Sequence, residues 1–459
     1  MRKSIQNAIG HPLTLLVCMV LALGAHVGLY AQFPGGQGPQ ALLDAIYDAH
    51  IQSVQLAPSQ WKQSAPIASL LREERLELTF DYVGAVAGYL RYRFIYCDAN
   101  WQPTGAIAPE FMRGYPINEI RDMRPSSAVR PGYTHYKLEW PNRDVRLTRS
   151  GNYVIQVVSA YNEQQVLFQR QFALSEDMLP LEVRVDNAFT EDFLQGQEIS
   201  ARIALVPGVE IGTVYLKQCW YDVRYRKLVV RQRDVFGRQV VYGSDFPMGK
   251  EGVWESGADW RIVDLRNLNT PGQGVERLTY DAGGYHAEVA LDGPVRPHID
   301  NGHPDLNGYF AYGSLDPIWG LQGTTEEYLY AYFSLRLPSP SEMDFMPEAL
   351  RGQPLLFVPG VAGAEQGVPM RYSASRQQYE ASLFLKQGVY SYRYGLQKHN
   401  GIDFVATEGN YGSASQEYHV LVYGRMPGDR YDRLLAHAIV GGNPAENPSP
   451  WCSARSVKP

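Results

Sequence analysis

Leu90-Arg91-Tyr92-Arg93-Phe94-Ile95-Tyr96-Cys97-Asp98-Ala99-Asn100-Trp101 decides the fold class. Leu90, Tyr92, Phe94 and Tyr96 fall on one side of an extended chain and Arg91 and Arg93 on the other, the period of two that marks a half-buried strand. Cys97 lies opposite the Tyr96 row and reads as a small packed residue. Further along, Gly132-Tyr133-Thr134-His135-Tyr136 and Ser150-Gly151-Asn152-Tyr153 again set turn residues beside strand aromatics. These stretches hold no nucleophile, metal cluster or phosphate loop.

The chain has 459 residues, which suits roughly two to four domains. Its 43 Gly, 30 Pro and 31 Tyr point to many short aromatic strands joined by tight turns. A net charge of -6 with no block of Lys or Arg excludes the basic stripe of a nucleic-acid binder. Arg2 and Lys3 precede an apolar run from Leu13 to Leu23 that ends in small residues near Ala25 or Ala31, so residues 1–31 read as a cleaved export signal. A membrane anchor needs about 18 to 20 apolar residues, and Gly10, His11, Pro12, Gly24 and His26 hem this run in. Val17 before Cys18 argues against a lipidated cysteine. Beyond the signal, Cys97, Cys219 and Cys452 allow one disulfide at most.

The expected fold class is all-β, in tandem immunoglobulin-like β-sandwich domains. Residues 32–49, with Gly35-Gly36-Gln37-Gly38-Pro39, form a flexible lead-in. Strands at 51–56, 76–80, 89–96, 136–140, 153–158 and 166–174 build an N-terminal sandwich over 50–176. Alternation resumes after Pro180 in a middle sandwich over 177–300, and Tyr328 to Leu335 leads a third β unit over 301–440. Residues 441–459 form a tail. Trp101 to Pro131, rich in Pro, Gly and Arg, reads as a long loop, functional or loosely held. Its Arg113, Arg121, Arg124 and Arg130 are the candidates for contact with a partner, since Arg is enriched at interfaces.

Chemistry leaves little trace. Gly243 to Lys250 has one residue too many for a phosphate loop, with Glu251 where Ser or Thr should hold magnesium. His298 and His303 with Asp300 and Asp305 suit solvated turn chemistry better than a metal site. Glu73-Glu74 and Glu326-Glu327 are adjacent pairs whose side chains diverge, unlike the facing acid and base of a glycosidase. No catalytic, cofactor-binding or metal residue is therefore expected. Exposed Tyr and Trp keep one alternative open, a carbohydrate-binding or surface-glycan-binding β-sandwich protein.

In their order along the chain, these stretches resemble the type IX secretion system plug protein family. The matching pieces are Ser53-Val54-Gln55-Leu56, Leu76-Glu77-Leu78-Thr79-Phe80-Asp81, the Tyr96 to Trp101 run, His135-Tyr136, and Ser150-Gly151-Asn152-Tyr153 with Phe172. They continue in Gln218 and Asp222, Asp259-Trp260-Arg261-Ile262-Val263-Asp264 and Asp305-Leu306-Asn307-Gly308-Tyr309. The last are Leu385-Lys386-Gln387-Gly388-Val389-Tyr390, Glu417-Tyr418 and Asp429-Arg430-Tyr431-Asp432. Cys219-Trp220 and Tyr242-Gly243-Ser244-Asp245 depart from the family's pattern. The resemblance implies a non-catalytic periplasmic subunit, on the inner side of the outer membrane, that docks on the periplasmic mouth of the secretion system's translocon barrel. It would seal that pore when no cargo is present. It implies no nucleic acid and no small-molecule substrate.

Overall fold

Leu90–Cys97 is a strand, and its burial alternates as the sequence predicts, with Leu90, Tyr92, Phe94 and Tyr96 inside. In the computed structural model, residues 40–84, 88–187, 196–204, 206–220, 225–233, 239–242, 253–255, 257–293, 306–315, 323–399 and 401–441 are described. The chain is all-β, 52% strand and 4% helix, so its backbone groups are satisfied mainly between strands. The expected export signal, residues 442–459 of the expected tail, the Gly243 to Lys250 stretch and the residues from His298 to Asp305 lie outside the described residues.

The N-terminal strands are β1 (Ala45–Ile46), β2 (Ile51–Pro58), β3 (Ile67–Ser69), β4 (Leu76–Val83), β5 (Leu90–Cys97), β6 (Met112–Gly114), β7 (Ile117–Ile120), β8 (Asp122–Pro125), β9 (Tyr133–Trp140), β10 (Val145–Leu147), β11 (Gly151–Ser159) and β12 (Val166–Ser175). One sheet runs β2-β4-β9-β8 and a second β1-β12-β11-β5-β7, with β3 parallel to β12. Leu78, Phe80, Tyr136 and Trp140 of the first sheet share a core with Tyr92, Phe94, Tyr153, Phe168 and Phe172 of the second. The two layers are therefore a sandwich.

Two expectations change here. Residues 41–49 are not a free lead-in: β1 pairs with β12, and Asp44 accepts a hydrogen bond of 2.6 Å from the Gln171 amide. Trp101 to Pro131 is not an open loop. It holds α1 (Ala108–Phe111), β6, β7 and β8, with β7 extending one sheet and β8 the other. The segment crosses between the layers in strands of three and four residues, too short for periodicity to register.

Next come β13 (Leu181–Asn187), β14 (Gly196–Ile203), β15 (Glu210–Gln218), β16 (Tyr225–Arg233), β17 (Gln239–Tyr242) and β18 (Val253–Glu255). They are followed by β19 (Arg261–Asp264), β20 (Val275–Asp281), β21 (Gly284–Val289), β22 (Phe310–Tyr312), β23 (Tyr328–Leu335), β24 (Gln353–Phe357), β25 (Val368–Pro369), β26 (Arg371–Ser373), β27 (Gln378–Lys386), β28 (Gly388–Lys398), β29 (Gly401–Asp403), β30 (Glu417–Arg425) and β31 (Arg433–Gly441). The short helices α2 (Pro340–Met343) and α3 (Val405–Glu408) lie among them.

Strand pairing does not follow the expected boundary at residue 300. β30 pairs with β15 over Glu210 to Gln218, and β31 with β30, giving one eight-stranded sheet ordered β13-β14-β17-β16-β15-β30-β31 with β18 alongside. Val185, Ile199 and Ile203 near one end share a core with Val420, Leu435 and Val440 at the other, so the sheet curls over on itself. β19 to β21, expected in the middle unit, instead join β22 to β29. One sheet there is β20-β21-β23-β27-β26, the other β19-β28-β24-β25, and Val263, Leu356, Tyr390 and Tyr394 meet Leu329, Phe333 and Leu385 between them. The stretch 261–403 thus sits inside the middle sheet's sequence. Tandem reading assumed neighbours in sequence pair, and an insertion defeats that assumption.

The first and inserted sandwiches repeat one strand order. β4, β9 and β8 in one layer and β11, β5 and β7 in the other correspond to β23, β27 and β26, and to β28, β24 and β25. The third residue of β11, Tyr153, donates its hydroxyl to the Arg149 carbonyl at 2.7 Å, and the third residue of β28, Tyr390, does the same to the Lys386 carbonyl. Gly151 begins the first corner at φ +131°, and a Cβ on it would lie 2.8 Å from the Tyr96 ring. Only glycine fits that approach.

Candidate functional site: buried joints between the sheets

The residues that carry the family resemblance are those that lock these units together. Asp81 projects from the outer face of β4 with its side chain fully buried. His135 Nδ1 lies 2.6 Å from Oδ1, while the Tyr328 hydroxyl and Lys386 Nζ, both from the inserted sandwich, donate to Oδ2 at 2.8 and 2.7 Å. Lys386 also donates to the Gly323 carbonyl at 2.8 Å and sits 4.5 Å from the centre of the Tyr133 ring. Glu326 Oε2 is 4.0 Å from the same ammonium. Burial first, then the charge of Asp81, pushes the Tyr328 hydroxyl well above the usual tyrosine range, so it remains a donor. Gly323 backs onto the His135 ring, where a Cβ would come 2.7 Å from Nε2. This is a closed ionic knot with its donors and acceptors matched across two sandwiches.

A second knot joins the same two units. Arg170 of β12 is 3% exposed and meets Glu365 at 3.0 Å and Asp44 at 4.0 Å. Burial pushes the Glu365 carboxyl up, and Arg170 offsets that shift.

The first sandwich meets the middle sheet through the turn after β5. Asp98 Oδ1 accepts from the amides of Asn100 and Gln102 at 2.8 and 2.9 Å, which holds Trp101 in a left-handed conformation at φ +63°. Asn100 then accepts from the Tyr215 hydroxyl, and Trp101 packs edge-on against Trp220 at 6.0 Å. Asn152 links both sides, donating to the Asp98 carbonyl at 3.0 Å and accepting from Tyr423 at 2.7 Å. The hairpin turn between β30 and β31 clamps the opposite corner. Arg430 reaches Glu110 at 2.9 Å, Asp429 meets Arg149 at 3.3 Å, and the Asp432 carbonyl accepts from Tyr96 at 3.1 Å. Between the middle sheet and the insertion, Tyr309 donates to Glu417, whose Oε1 lies 2.8 Å from His419 Nε2.

The four candidate arginines are not gathered on one element. Arg113, on β6, donates to the carbonyls of Pro109 and Met112 at 3.1 and 3.4 Å. Arg121, the residue between β7 and β8, pairs with Asp144 at 2.7 Å, and Arg124, on β8, pairs with Asp122 at 3.1 Å. Arg130 stands at the joint with the insertion, its amide donating to Glu327 Oε2 at 3.0 Å. All four are exposed. Sequence reasoning missed Asp81, Lys386, Tyr328 and Arg170 as a set. The available signal was a lone charge in an otherwise apolar strand register, as at Arg170 between Phe168 and Phe172.

Cys97 and Cys219 are both buried, and burial with the nearby Asp98 pushes the Cys97 thiol up to about 12. Cys452 lies outside the described residues. Among the described residues no group of three or more His, Cys, Asp or Glu is placed to hold a metal, and no helix is long and apolar enough to cross a membrane.

These features define an all-β scaffold of sandwiches and a curled sheet, locked at several buried polar joints. The family model described as "Type 9 secretion system plug protein 1st domain" matches residues 51–176, from the first residue of β2 to just past β12. That segment belongs to the type IX secretion system plug family. Over the longer span, the fold is similar to the 2.30 Å crystal structure of a hypothetical protein from Parabacteroides merdae ATCC 43184. The TM-score is 0.77 at 22% identity, covering 88% of this chain and 100% of that one. The search of curated proteins gave no match.

Proposed function

We propose that this chain is a non-catalytic plug subunit of the type IX secretion system, exported with cleavage of residues 1–31. It works in the periplasm on the inner side of the outer membrane, docks on the periplasmic mouth of the translocon barrel and seals it when no cargo is present. The observation that carries the reading is the Asp81–Lys386 knot. A seal over a wide pore must resist bending, and a plug-family first domain fixed to a second sandwich through buried, directional contacts offers a stiff unit rather than hinged beads. We also propose that the first and inserted sandwiches are immunoglobulin-like, on the strength of their shared strand order and paired tyrosine corners.

Partner contact falls to Arg113, Arg121, Arg124 and Arg130. They are exposed, and a polar, wet interface allows a seal to release. The test is co-purification of the tagged protein from gently solubilised outer membranes. Recovery of a giant barrel protein supports the plug, and its absence with the unaltered chain refutes it. Replacing all four arginines by Glu is expected to lower that recovery, and unchanged recovery removes them from the interface.

A further inference from the structure

We propose that the outer face of the β20-β21-β23-β27-β26 sheet binds a β-1,4-linked hexopyranose chain, on an aromatic tile formed by Tyr330, Tyr332, His286 and Phe384. This site is independent of the plug reading. Along β23 the outward tyrosines change character abruptly. Tyr328 is 2% exposed beneath the first sandwich, whereas Tyr330 and Tyr332 are 41% and 38% exposed. Their neighbours complete a surface. His286 is paired in register with Tyr330 from β21, and Phe384 pairs with Tyr330 from β27.

The rings are held, not splayed. His286 Nδ1 lies 2.9 Å from the Tyr332 hydroxyl and Nε2 lies 3.1 Å from Asp281 Oδ1. A hydrogen bond to an imidazole nitrogen lies near the ring plane, so the Tyr332 hydroxyl is close to the plane of His286. The imidazole plane is inclined by only 17° to each of the two tyrosines. Tyr332 and His286 therefore lie nearly edge to edge, and Tyr330 runs close to parallel beside His286. Phe384 borders Tyr330 at an angle, with ring centres 5.1 Å apart and planes inclined by 49°.

The rim argues for a sugar over a protein side chain. Protein hot spots bury aromatic anchors in pockets, and a flat sheet face offers a platform instead. A pyranose ring has an apolar C–H face to lie on the tile and a girdle of hydroxyls to meet its edges. Those edges carry the Tyr332 hydroxyl, Asp281, the Arg277–Glu288 ion pair and Ser382, which stands directly opposite Tyr332. The tile follows the straight line of β23 and ends where Ser53 and Asp81 hold the Tyr328 hydroxyl, which suits an extended ribbon better than a coiled glycan.

The experiment is isothermal titration of the purified chain with chitohexaose, cellohexaose and the coiled α-linked control maltohexaose. Binding of either β-linked hexamer in preference to maltohexaose is expected. Tyr330→Ala with Tyr332→Ala should weaken it about ten-fold, since two stacked faces are lost. Tyr332→Phe, which keeps the ring, should weaken it less. Circular dichroism and the urea midpoint check that the variants fold. The proposal fails if neither β-linked hexamer binds at millimolar concentration, if maltohexaose binds as well as they do, or if the folded double variant binds like the parent.

Discussion

Lys386→Met removes the ammonium from the joint between the first and inserted sandwiches and leaves Asp81 buried with two of its three partners. Both side chains are essentially inaccessible, at 2% and 0% exposure, so solvent cannot replace the lost contact. Breaking one side of a buried ion pair costs about 3–5 kcal/mol. Because His135 and Tyr328 still contact Asp81, the lower end applies, about 3 kcal/mol. Asp81→Asn should cost a similar amount, by leaving Lys386 with the Gly323 carbonyl, the face of the Tyr133 ring and a distant Glu326. The decisive variant is the double one. With both charges gone, no uncompensated ion remains, and its cost should fall short of the sum of the singles by about 2 kcal/mol. Urea unfolding at pH 7 measures the cycle, and amide exchange in β9 reports whether the joint opens locally. A coupling below about 0.5 kcal/mol, or undisturbed exchange in β9 of the single variants, would refute the claim that this knot holds the sandwiches together.

The two tyrosine corners should behave alike. Tyr153→Phe and Tyr390→Phe each orphan a buried carbonyl and should cost about 1–2 kcal/mol in urea unfolding, so a silent Tyr390→Phe would end the structural analogy. His437 supplies a pH dependence. Burial, then the neighbouring His419, holds its imidazole well below the usual histidine range. The unfolded chain therefore takes up a proton as pH falls through about 6.5 while the folded chain does not, and stability drops on the acid side by at most about 1.4 kcal/mol per pH unit. None of this loss appears above that pH. His437→Gln should flatten the decline between pH 7 and 5, and parallel curves for parent and variant would contradict it.

Local structure was legible in the sequence and long-range pairing was not. Period-two alternation in Leu90 to Tyr96 and in Tyr328 to Leu335 fixed strands that the structure reproduces, because the core face of a strand is written in adjacent residues. Ser150-Gly151-Asn152-Tyr153 was legible as a turn into a strand. Its likeness to Gln387-Gly388-Val389-Tyr390 was not, since what the two share is a glycine and a tyrosine two residues later, and the hydrogen bond from each tyrosine to the carbonyl four residues before it is invisible without the fold. β30 was predicted as a strand but placed in the wrong sheet, because nothing in Glu417 to Tyr423 says that its partner is β15, some 200 residues earlier. The arginines of the segment after Trp101 stood out by composition. Asp81 and Lys386 did not, because each shares its strand face with other polar residues, Glu77 and Thr79 in one case and Glu380 and Ser382 in the other, and acquires meaning only from the opposite charge that folding brings to it.

The insertion and the joints are consequences of one another. A chain that leaves the middle sheet after β18 and returns at β30 ties both ends of the inserted sandwich to one scaffold, yet two tethers leave rotation about the line joining them. The knots at Asp81–Lys386 and Arg170–Glu365 anchor the insertion to the first sandwich, and two further anchors oppose that rotation. Apolar burial alone sets orientation less sharply, because it is non-directional. A charge-assisted bond between Lys386 Nζ and Asp81 Oδ2 at 2.7 Å is directional, and sliding by one strand residue would strand both charges in the interior. Orientation is thus fixed where the tethers leave it loose, which is the stiffness that the proposed sealing role calls for.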